Sequence, residues 1–314
     1  MEPPPTSPRP PLVVLLRNWV GDVVLSVPTL LRLEAAGHEL HLVGKGWVPD
    51  LLAAYGWPSR RLAGSLPGRV AQWRDLRREL GPRARSLVFP YSFSSALESR
   101  LGGLPATGFA CEGRSLLLRR AVALDRGGHT RGEYWSLGQA FLGLSEPVPP
   151  PAPWRFSAAA EDEAARLRAE HGLGGDYLVL VPFASNGADD PRVWPDFPAF
   201  AAELGRRGCP VVLCPGSPGE VAAAAARYPR ARVLPGVGMS AYGVLMRDAR
   251  RVVACDTGPG HLAAAAGARL LSLFGPSDPA RWAPVGSSVE VVRRWPAWPT
   301  LEEALAKSLS PNPS

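Results

Sequence analysis

The sequence predicts an α/β protein built from two doubly wound halves, each a parallel sheet covered by helices. Short apolar runs alternate with amphipathic helical patterns along the chain, which is typical of parallel strands joined by helical crossovers. The same strand–helix plan occurs twice, and the proline-rich segment 147–153 lies between the two copies. The polar, glycine-containing motifs follow directly after predicted strands, which is where ligands bind in sheets of this kind.

The elements of the first half follow from its apolar pattern. The predicted strands are the apolar runs at residues 12–16, 39–43 and 86–89. Helical spacing of apolar residues predicts helices at 23–33, 47–55, 70–80 and 94–101, and Gly102-Gly103 closes the last of them. This alternation indicates right-handed crossovers within one parallel sheet.

The second half repeats the plan. Its predicted strands are residues 177–182, 211–214, 251–254 and 270–274, and its predicted helices are 158–171, 197–207, 220–228, 241–246 and 260–266, with a C-terminal helix or tail beyond them. We therefore divide the chain into a proline-rich tail at 1–11 that we expect to be disordered, an N-terminal domain at 12–157 and a C-terminal domain at 158–314. A ligand cleft between the two domains is the expected position of the site.

Composition excludes several classes of protein. The 314 residues are 46% hydrophobic, so the chain can bury a full core, and the formal net charge of +7 fits an anionic ligand or surface. No interleaved aromatic and basic signature of nucleic-acid binding occurs, so we predict no nucleic-acid partner. The four cysteines form no C-x-x-C pair, and neither a signal peptide nor a membrane-spanning run is present. The sequence thus predicts a cytoplasmic protein with free thiols.

The first candidate motif is Gly21-Asp22, between a predicted strand and a predicted helix. Gly21 permits a tight turn and a close approach of the backbone. Asp22 at this position is interpreted either as the N-cap of the helix or as a general base that accepts a proton from a hydroxyl substrate.

The second motif, Asp256-Thr257-Gly258-Pro259-Gly260-His261, also joins a strand to a helix. The free backbone N–H groups and the dipole of a helix start favour phosphate there, and the hydroxyl of Thr257 adds a donor. The alternative is an ordinary capped helix, in which His261 is a packed or surface histidine.

Two further loops follow predicted strands. In the segment 185–195, Arg192 is interpreted as a bidentate phosphate ligand or as a solvated surface arginine. Glu220 is interpreted as a ribose ligand or as a first-turn acid that complements the helix dipole. No G-x-S-x-G, P-loop, H-E-x-x-H or D-x-D motif occurs, so we predict no metal site and no cofactor.

Taken in order, these motifs resemble glycosyltransferase family 9, the heptosyltransferases of the lipopolysaccharide inner core. The segments that carry the resemblance are Asn18 to Pro28, whose Trp-Val-Gly-Asp is most similar to the heptosyltransferase II branch, Ser94 to Gly103, Arg192-Val193-Trp194-Pro195, Asp256 to His261 and Phe274 to Pro279. The resemblance spans residues 12–284.

The resemblance implies a GT-B fold, with two Rossmann-like domains facing each other across a cleft. It implies inverting, metal-independent transfer of a sugar, with heptose the expected sugar, from an ADP-sugar to a lipopolysaccharide-core or other cell-envelope saccharide. Asp22 matches the proposed general base, and Arg192 would stabilise the leaving diphosphate. The implied donor-binding residues are Ser185, Glu220, Met239, Asp256, Thr257, Gly258 and His261, with Tyr242 beside the nucleobase of the donor.

The resemblance assigns the acceptor, an anionic lipid-linked molecule or saccharide, to the first domain. Its candidate ligands are Trp19, Lys45, Arg60, Arg114 and Arg120. We expect a monomer that contacts the inner face of the inner membrane peripherally. Asp189 and Asp190 lie close to the candidate phosphate site in the sequence and would repel a diphosphate unless they point away from it, and the sequence leaves open whether they touch the donor. The alternatives are a GT-B transferase or epimerase that uses a UDP- or GDP-sugar, and an inactive nucleotide-sugar-binding module.

Overall fold

The computed structural model describes residues 9–310 and divides the chain into two compact units, the first ending at Pro150 and the second beginning at Pro151. The predicted boundary at 157/158 lies a few residues later. Of the predicted tail, residues 1–8 lie outside the described residues. Pro10 is described, and its carbonyl oxygen lies 2.9 Å from Nδ1 of His38.

The first unit is a parallel sheet with helices packed on it. Its strands are β1 (Leu12–Leu15), β2 (Leu40–Gly44), β3 (Ser59–Arg61), β4 (Arg85–Val88), β5 (Thr107–Phe109) and β6 (Arg120–Val122). Its helices are α1 (Val20–Ala35), α2 (Val48–Leu51), α3 (Leu66–Leu80), α4 (Phe93–Leu101) and α5 (Thr130–Leu142), with 3-10 turns at Ala53–Tyr55 and Arg114–Leu116. The strand order is β3-β2-β1-β4-β5-β6, and every pair is parallel.

The second unit has the same plan. Its strands are β7 (Leu178–Val181), β8 (Val211–Leu213), β9 (Arg232–Val233), β10 (Arg251–Cys255), β11 (Leu270–Phe274) and β12 (Val289–Arg293). Its helices are α6 (Ala158–Glu170), α7 (Phe197–Arg206), α8 (Pro218–Arg227), α9 (Met239–Arg247), α10 (Gly258–Ala265), α11 (Pro279–Trp282) and α12 (Leu301–Leu309). The strand order is β12-β11-β10-β7-β8-β9, again with parallel pairs.

Both sheets reverse their winding direction at the centre. In the first unit β1 lies between β2 and β4, and in the second β7 lies between β8 and β10. Helices that leave neighbouring strands at this point go to opposite faces, so a crevice opens beyond the carboxyl ends of the two strands. The loops after β1, β4, β7 and β10 therefore occupy the positions where such sheets bind ligands.

Every strand and helix predicted from the apolar pattern is present, with ends shifted by a few residues. The predicted helix at 47–55 is α2 followed by a 3-10 turn, and α1 begins at Val20 rather than at residue 23. The strands that were not predicted lie toward the sheet edges. Apart from the five-residue β12 they have two or three residues each, and β3 and β6 carry exposed arginines instead of an apolar run. Helix α5 was not predicted because its buried face includes Glu133 and Gln139.

Packing between α3 and α4 gives a stability prediction. A Cβ added to Gly102, at the C-terminal end of α4, would lie 2.1 Å from Cβ of the buried Trp73 on α3. We expect Gly102→Ala to destabilise the protein by about 2 kcal/mol, because neither backbone can give way without opening the core. The matched control is Gly132→Ala in α5, whose added Cβ meets no described atom within 4 Å and which we expect to be neutral or mildly stabilising. Equal melting temperatures for the two variants would contradict this packing.

Candidate active site

Asp22 lies in the first turn of α1, just beyond the carboxyl end of β1. The N-cap of α1 is Trp19, and it makes no side-chain capping hydrogen bond, so the interpretation of Asp22 as the N-cap is wrong. The carboxylate is nevertheless at the positive end of the helix dipole, which favours its ionised form. Asp22 is 9% exposed, so a small part of it is open to solvent while the rest is packed in protein.

Two side chains hold this carboxylate. The Tyr134 hydroxyl on α5 donates a hydrogen bond to Oδ1 of Asp22 at 2.5 Å. Nε of Arg17, in the loop after β1, lies 3.6 Å from Oδ2, and Nη1 of Arg17 donates to the Tyr134 hydroxyl at 3.3 Å. Sequence reasoning missed both residues: Arg17 precedes the recognisable motif, and Tyr134 lies 112 residues away on the unpredicted α5.

The environment of Asp22 makes it a stronger base than an ordinary aspartate. Burial raises the pKa of the Asp22 carboxyl, and this effect exceeds the opposing effects of the Arg17 charge and the Tyr134 hydrogen bond. A general base functions best when its pKa approaches the pH at which it operates. The carboxylate can therefore accept a proton from a substrate hydroxyl that reaches its exposed edge.

A second buried carboxylate lies beside the first. Glu133 is 3% exposed and accepts a hydrogen bond from the Tyr91 hydroxyl. The Arg17 guanidinium lies over the Tyr91 ring, 4.3 Å from its centroid. We call Arg17, Asp22, Tyr91, Glu133 and Tyr134 the Asp22 cluster. The loop after β1, the first turn of α1, the segment after β4 and α5 all contribute to it, which places it at the winding reversal of the first sheet.

The candidate acceptor ligands are placed differently from one another. Trp19 is 56% exposed and lies three residues before Asp22, and Lys45 is exposed at the end of β2. Arg60 on β3 forms an ion pair with Glu79, and Arg120 on β6 donates to the carbonyl of Ala140. Of these four, Trp19 is the one the structure brings to the Asp22 cluster.

The fifth acceptor candidate, Arg114, is buried and makes its hydrogen bonds within the first unit. It is fully buried, its Nε donates to the carbonyl of Phe109, and its Nη1 donates to Ser95 Oγ at 2.8 Å. The same Nη1 lies 2.6 Å from the carbonyl of Pro90. These contacts tie the turn after β5 to the segment after β4, which favours a role in folding over acceptor binding.

In the second unit, Arg192 lies in the loop after β7, at the winding reversal. Its Nε and Nη2 donate to the two carboxylate oxygens of Asp190 at 2.9 and 2.8 Å, and Nη2 also donates to Ser185 Oγ at 2.6 Å. Asp190, whose placement the sequence left open, is therefore directed at Arg192, and it is 4% exposed. Asp189 does point elsewhere and pairs with Arg227 at 2.8 Å.

The Asp190 ion pair fixes the guanidinium in one orientation. The hydrogen bonds from Arg192 hold the pKa of the Asp190 carboxyl at about 2, so this carboxylate stays ionised at any physiological pH. Within residues 9–310, Nη1 of Arg192 has no hydrogen-bond partner. One edge of the guanidinium is thus held by protein, and the other edge can meet an anion.

The loop after β10 supplies backbone donors beside Arg192. Thr257 is the N-cap of α10 and its side chain caps no amide, so the start of this helix keeps its donors for another acceptor. Asp256 is buried next to it, and burial raises the pKa of its carboxyl against a hydrogen bond from Ser277 and the charge of Arg192. His261 is buried one turn further on, and a methionine, Met239, is half-buried at the start of α9.

Glu220 is a first-turn acid of α8, one of the two interpretations that the sequence left open, and its role as a ribose ligand stays a prediction. Its Oε2 accepts a hydrogen bond from the Gly216 amide at 2.7 Å, and the N-cap Ser217 accepts one from the Glu220 amide at 3.3 Å. This is a reciprocal cap of α8, as expected for a first-turn acid. Glu220 is half-buried. Burial raises the pKa of the neighbouring Tyr242 hydroxyl, and the negative charge of Glu220 raises that pKa further.

Residues 9–310 contain neither a membrane-spanning helix nor a cluster of metal-ligating side chains. No helix in this part of the chain is both long and apolar enough to span a bilayer. No group of three or more His, Cys, Asp or Glu side chains is arranged to hold a metal ion in the same part of the chain. The predicted absence of a metal cofactor stays a prediction.

Comparison with known proteins defines the class. The sequence model of glycosyltransferase family 9 (heptosyltransferase) matches residues 73–309. The chain belongs to this family, and it is a glycosyltransferase. It is 26% identical to lipopolysaccharide heptosyltransferase 2 of Escherichia coli K12, over 90% of this chain and 87% of that protein. It is 37% identical to lipopolysaccharide heptosyltransferase 1 of Pseudomonas aeruginosa, over 41% of this chain and 38% of that protein.

Solved structures show the fold. ADP-heptose lipopolysaccharide heptosyltransferase II of E. coli has a TM-score of 0.76 at 24% identity, covering 95% of this chain and 98% of that one. An E. coli heptosyltransferase solved with ADP has a TM-score of 0.69 at 21% identity, covering 90% and 92%. These likenesses confirm the predicted GT-B fold.

Proposed function

We propose that this protein transfers heptose from ADP-heptose to a saccharide of the lipopolysaccharide core, with inversion and without a metal ion. The observation that supports this most is Asp22, a buried carboxylate with a raised pKa at the winding reversal of the first sheet, in a family of heptosyltransferases. Lipopolysaccharide heptosyltransferase 2 of E. coli, which supports the choice of heptose, matches this chain over 87% of its own length. We assign the acceptor to the first unit and the donor to the second.

The reaction requires one base and one stabilised leaving group. Asp22 removes the proton from the acceptor hydroxyl while that oxygen bonds to C1 of the sugar. The bond from C1 to the diphosphate oxygen breaks on the opposite face, so the anomeric configuration inverts. ADP leaves with the electron pair of that bond, and Asp22 then gives its proton to solvent.

Donor recognition follows from the second unit. The open edge of Arg192 meets the developing charge of the diphosphate, and the amides at Thr257 and Gly258 add donors at the start of α10. We assign the ribose of the donor to Glu220, whose second carboxylate oxygen takes no part in the cap of α8. We assign the nucleobase of the donor to Met239 and Tyr242. Ser185 orients Arg192 through its 2.6 Å hydrogen bond, and Asp256 and His261 line the turn behind it.

The remaining predictions about partners extend this proposal. The net charge of +7 suits an anionic acceptor such as a lipid-linked core saccharide, handled at the cytoplasmic face of the inner membrane. Peripheral contact with that membrane and a monomeric state are part of the proposal. Among the acceptor candidates, Trp19 has the exposed aromatic face that stacks on sugar rings.

A panel of nucleotides tests the choice of donor. We expect ADP and ADP-heptose to raise the melting temperature and UDP and GDP to have little effect, because binding stabilises the folded state by mass action. A Glu220→Gln variant should weaken ADP binding, whereas Glu203→Gln, which replaces a half-buried acid on α7 that pairs with Arg206, serves as the matched control. Preference for UDP would favour the alternative of a UDP-sugar transferase or epimerase and contradict the proposal.

A further inference from the structure

We infer that Arg17 and Tyr134 are positioning residues for the proposed base: together they keep the buried Asp22 carboxylate ionised and fix which of its oxygens accepts the proton. The inference rests on the proposed function. It goes beyond the proposed function by assigning roles to Arg17 and Tyr134, which lie outside the segments that carry the resemblance to the family.

The geometry distinguishes the two oxygens of Asp22. Oδ1 is occupied, since the fully buried Tyr134 hydroxyl donates to it at 2.5 Å. Oδ2 is 3.6 Å from Nε of Arg17, which is longer than a hydrogen bond and leaves its lone pairs uncommitted to that group. Tyr134 therefore holds the plane of the carboxylate, and Oδ2 is the oxygen that receives the substrate proton.

Arg17 acts through its charge. A carboxylate that is 9% exposed loses most of its hydration, and an opposite charge at 3.6 Å compensates for part of that loss. Arg17 is itself held in place, because Nη1 donates to the Tyr134 hydroxyl at 3.3 Å and the guanidinium lies over the Tyr91 ring. Tyr134 thus links the cation and the base.

The other groups around Asp22 act in the opposite direction or are neutral. Glu133, from α5, raises the pKa of Asp22 by charge repulsion, and burial raises it further. Tyr91, from the segment after β4, donates its hydroxyl proton to Glu133 and not to Asp22. Arg17 and Tyr134 are consequently the two groups of the Asp22 cluster that favour the ionised base.

The sign of the effect follows from these contacts. Both residues lower the pKa of Asp22, so removing either one raises it, and a base with a higher pKa becomes protonated at a higher pH. The acid limb of the pH profile of kcat/KM should therefore move to higher pH. For Tyr134→Phe the expected shift is about one pH unit, which corresponds to the loss of one hydrogen bond to a charged group.

The experiment compares pH profiles of kcat/KM for heptose transfer in wild type, Tyr134→Phe, Arg17→Met and Arg17→Lys. We expect upward shifts of the acid limb in Tyr134→Phe and Arg17→Met, and recovery of most of the wild-type profile in Arg17→Lys, which keeps the charge. Tyr177→Phe is the matched control: it deletes the buried hydrogen bond from the Tyr177 hydroxyl to the Leu245 carbonyl in the second unit, at 2.6 Å. It should leave the limb in place.

The outcomes separate this inference from the proposed function. An unshifted acid limb in both Tyr134→Phe and Arg17→Met, or a fall in rate that is equal at every pH, would overturn the inference. If Asp22→Asn retained wild-type activity, the proposed base itself would be wrong. If Asp22→Asn were inactive while the limbs of the other variants did not move, only the positioning roles would be lost.

Discussion

Replacing Asp22 by asparagine is expected to lower kcat for heptose transfer about 1,000-fold, the typical contribution of a general base. Asparagine keeps the shape of the side chain and can still accept the Tyr134 hydrogen bond, but it cannot take a proton from the acceptor hydroxyl. Binding of ADP should be unchanged, because the proposed donor ligands lie in the second unit. Steady-state kinetics and calorimetric titration with ADP measure the two quantities separately.

The control for this variant is Glu98→Gln. Glu98 is also a buried carboxylate of the first unit, 2% exposed, and it is paired with Arg69 at 2.5 Å. Burial raises its pKa as it does for Asp22, so the two variants remove comparable charges from comparable surroundings. Glu98→Gln should lose stability and keep its turnover. A similar loss of kcat in both variants would mean that Asp22 acts through folding and not as a base.

Replacement of Arg192 is expected to have the second-largest effect on kcat. Arg192→Ala should lower kcat about 100- to 1,000-fold, because charge stabilisation of a leaving group is worth that much in comparable sites. Arg192→Lys should recover part of this loss, since lysine keeps the charge but cannot form the two parallel bonds to Asp190. Single-turnover kinetics with saturating ADP-heptose measure the chemical step directly.

The neighbouring ion pair provides the control for Arg192. Arg227→Ala breaks the pair with Asp189, which lies in the same loop but is 87% exposed at its side chain. Exposed pairs of this kind contribute little, so kcat should change less than about twofold. The kcat of Asp190→Asn should lie between those of Arg192→Ala and Arg227→Ala. This variant keeps the Arg192 guanidinium but removes the ion pair that fixes its orientation. Turnover in Arg192→Ala equal to that in Arg227→Ala would exclude a role for Arg192 in leaving-group stabilisation.

Much of the fold could be predicted from the sequence because its central strands are buried on both faces. Strands such as β1 and β7 are continuous apolar runs, and the loops after them carry the polar motifs. The edge strands β3 and β9 and the helix α5 have no such signal: the strands have two or three residues each, and α5 buries one acid and one amide. Their positions depend on tertiary contacts that no local pattern records.

The candidate site shows the same limit. Asp22 and Arg192 could be singled out because each lies in a short motif next to a strand end. The residues that govern them could not, because Tyr134 reaches Asp22 from 112 positions away and Asp190 appeared to be an unfavourable charge near a phosphate site. The structure indicates a role for Asp190: its carboxylate accepts hydrogen bonds from one edge of the Arg192 guanidinium and thereby orients the other edge.

The most direct test is a mass-spectrometric transfer assay with purified protein, ADP-, UDP- and GDP-sugars, and truncated lipopolysaccharide-core acceptors, run in the presence of a metal chelator. We expect the acceptor to gain the mass of one heptose residue with ADP-heptose alone, and we expect NMR of the product to show an anomeric configuration opposite to that of the donor. Transfer from a UDP- or GDP-sugar in preference to ADP-heptose, a requirement for a metal ion, or retention of configuration would contradict the account.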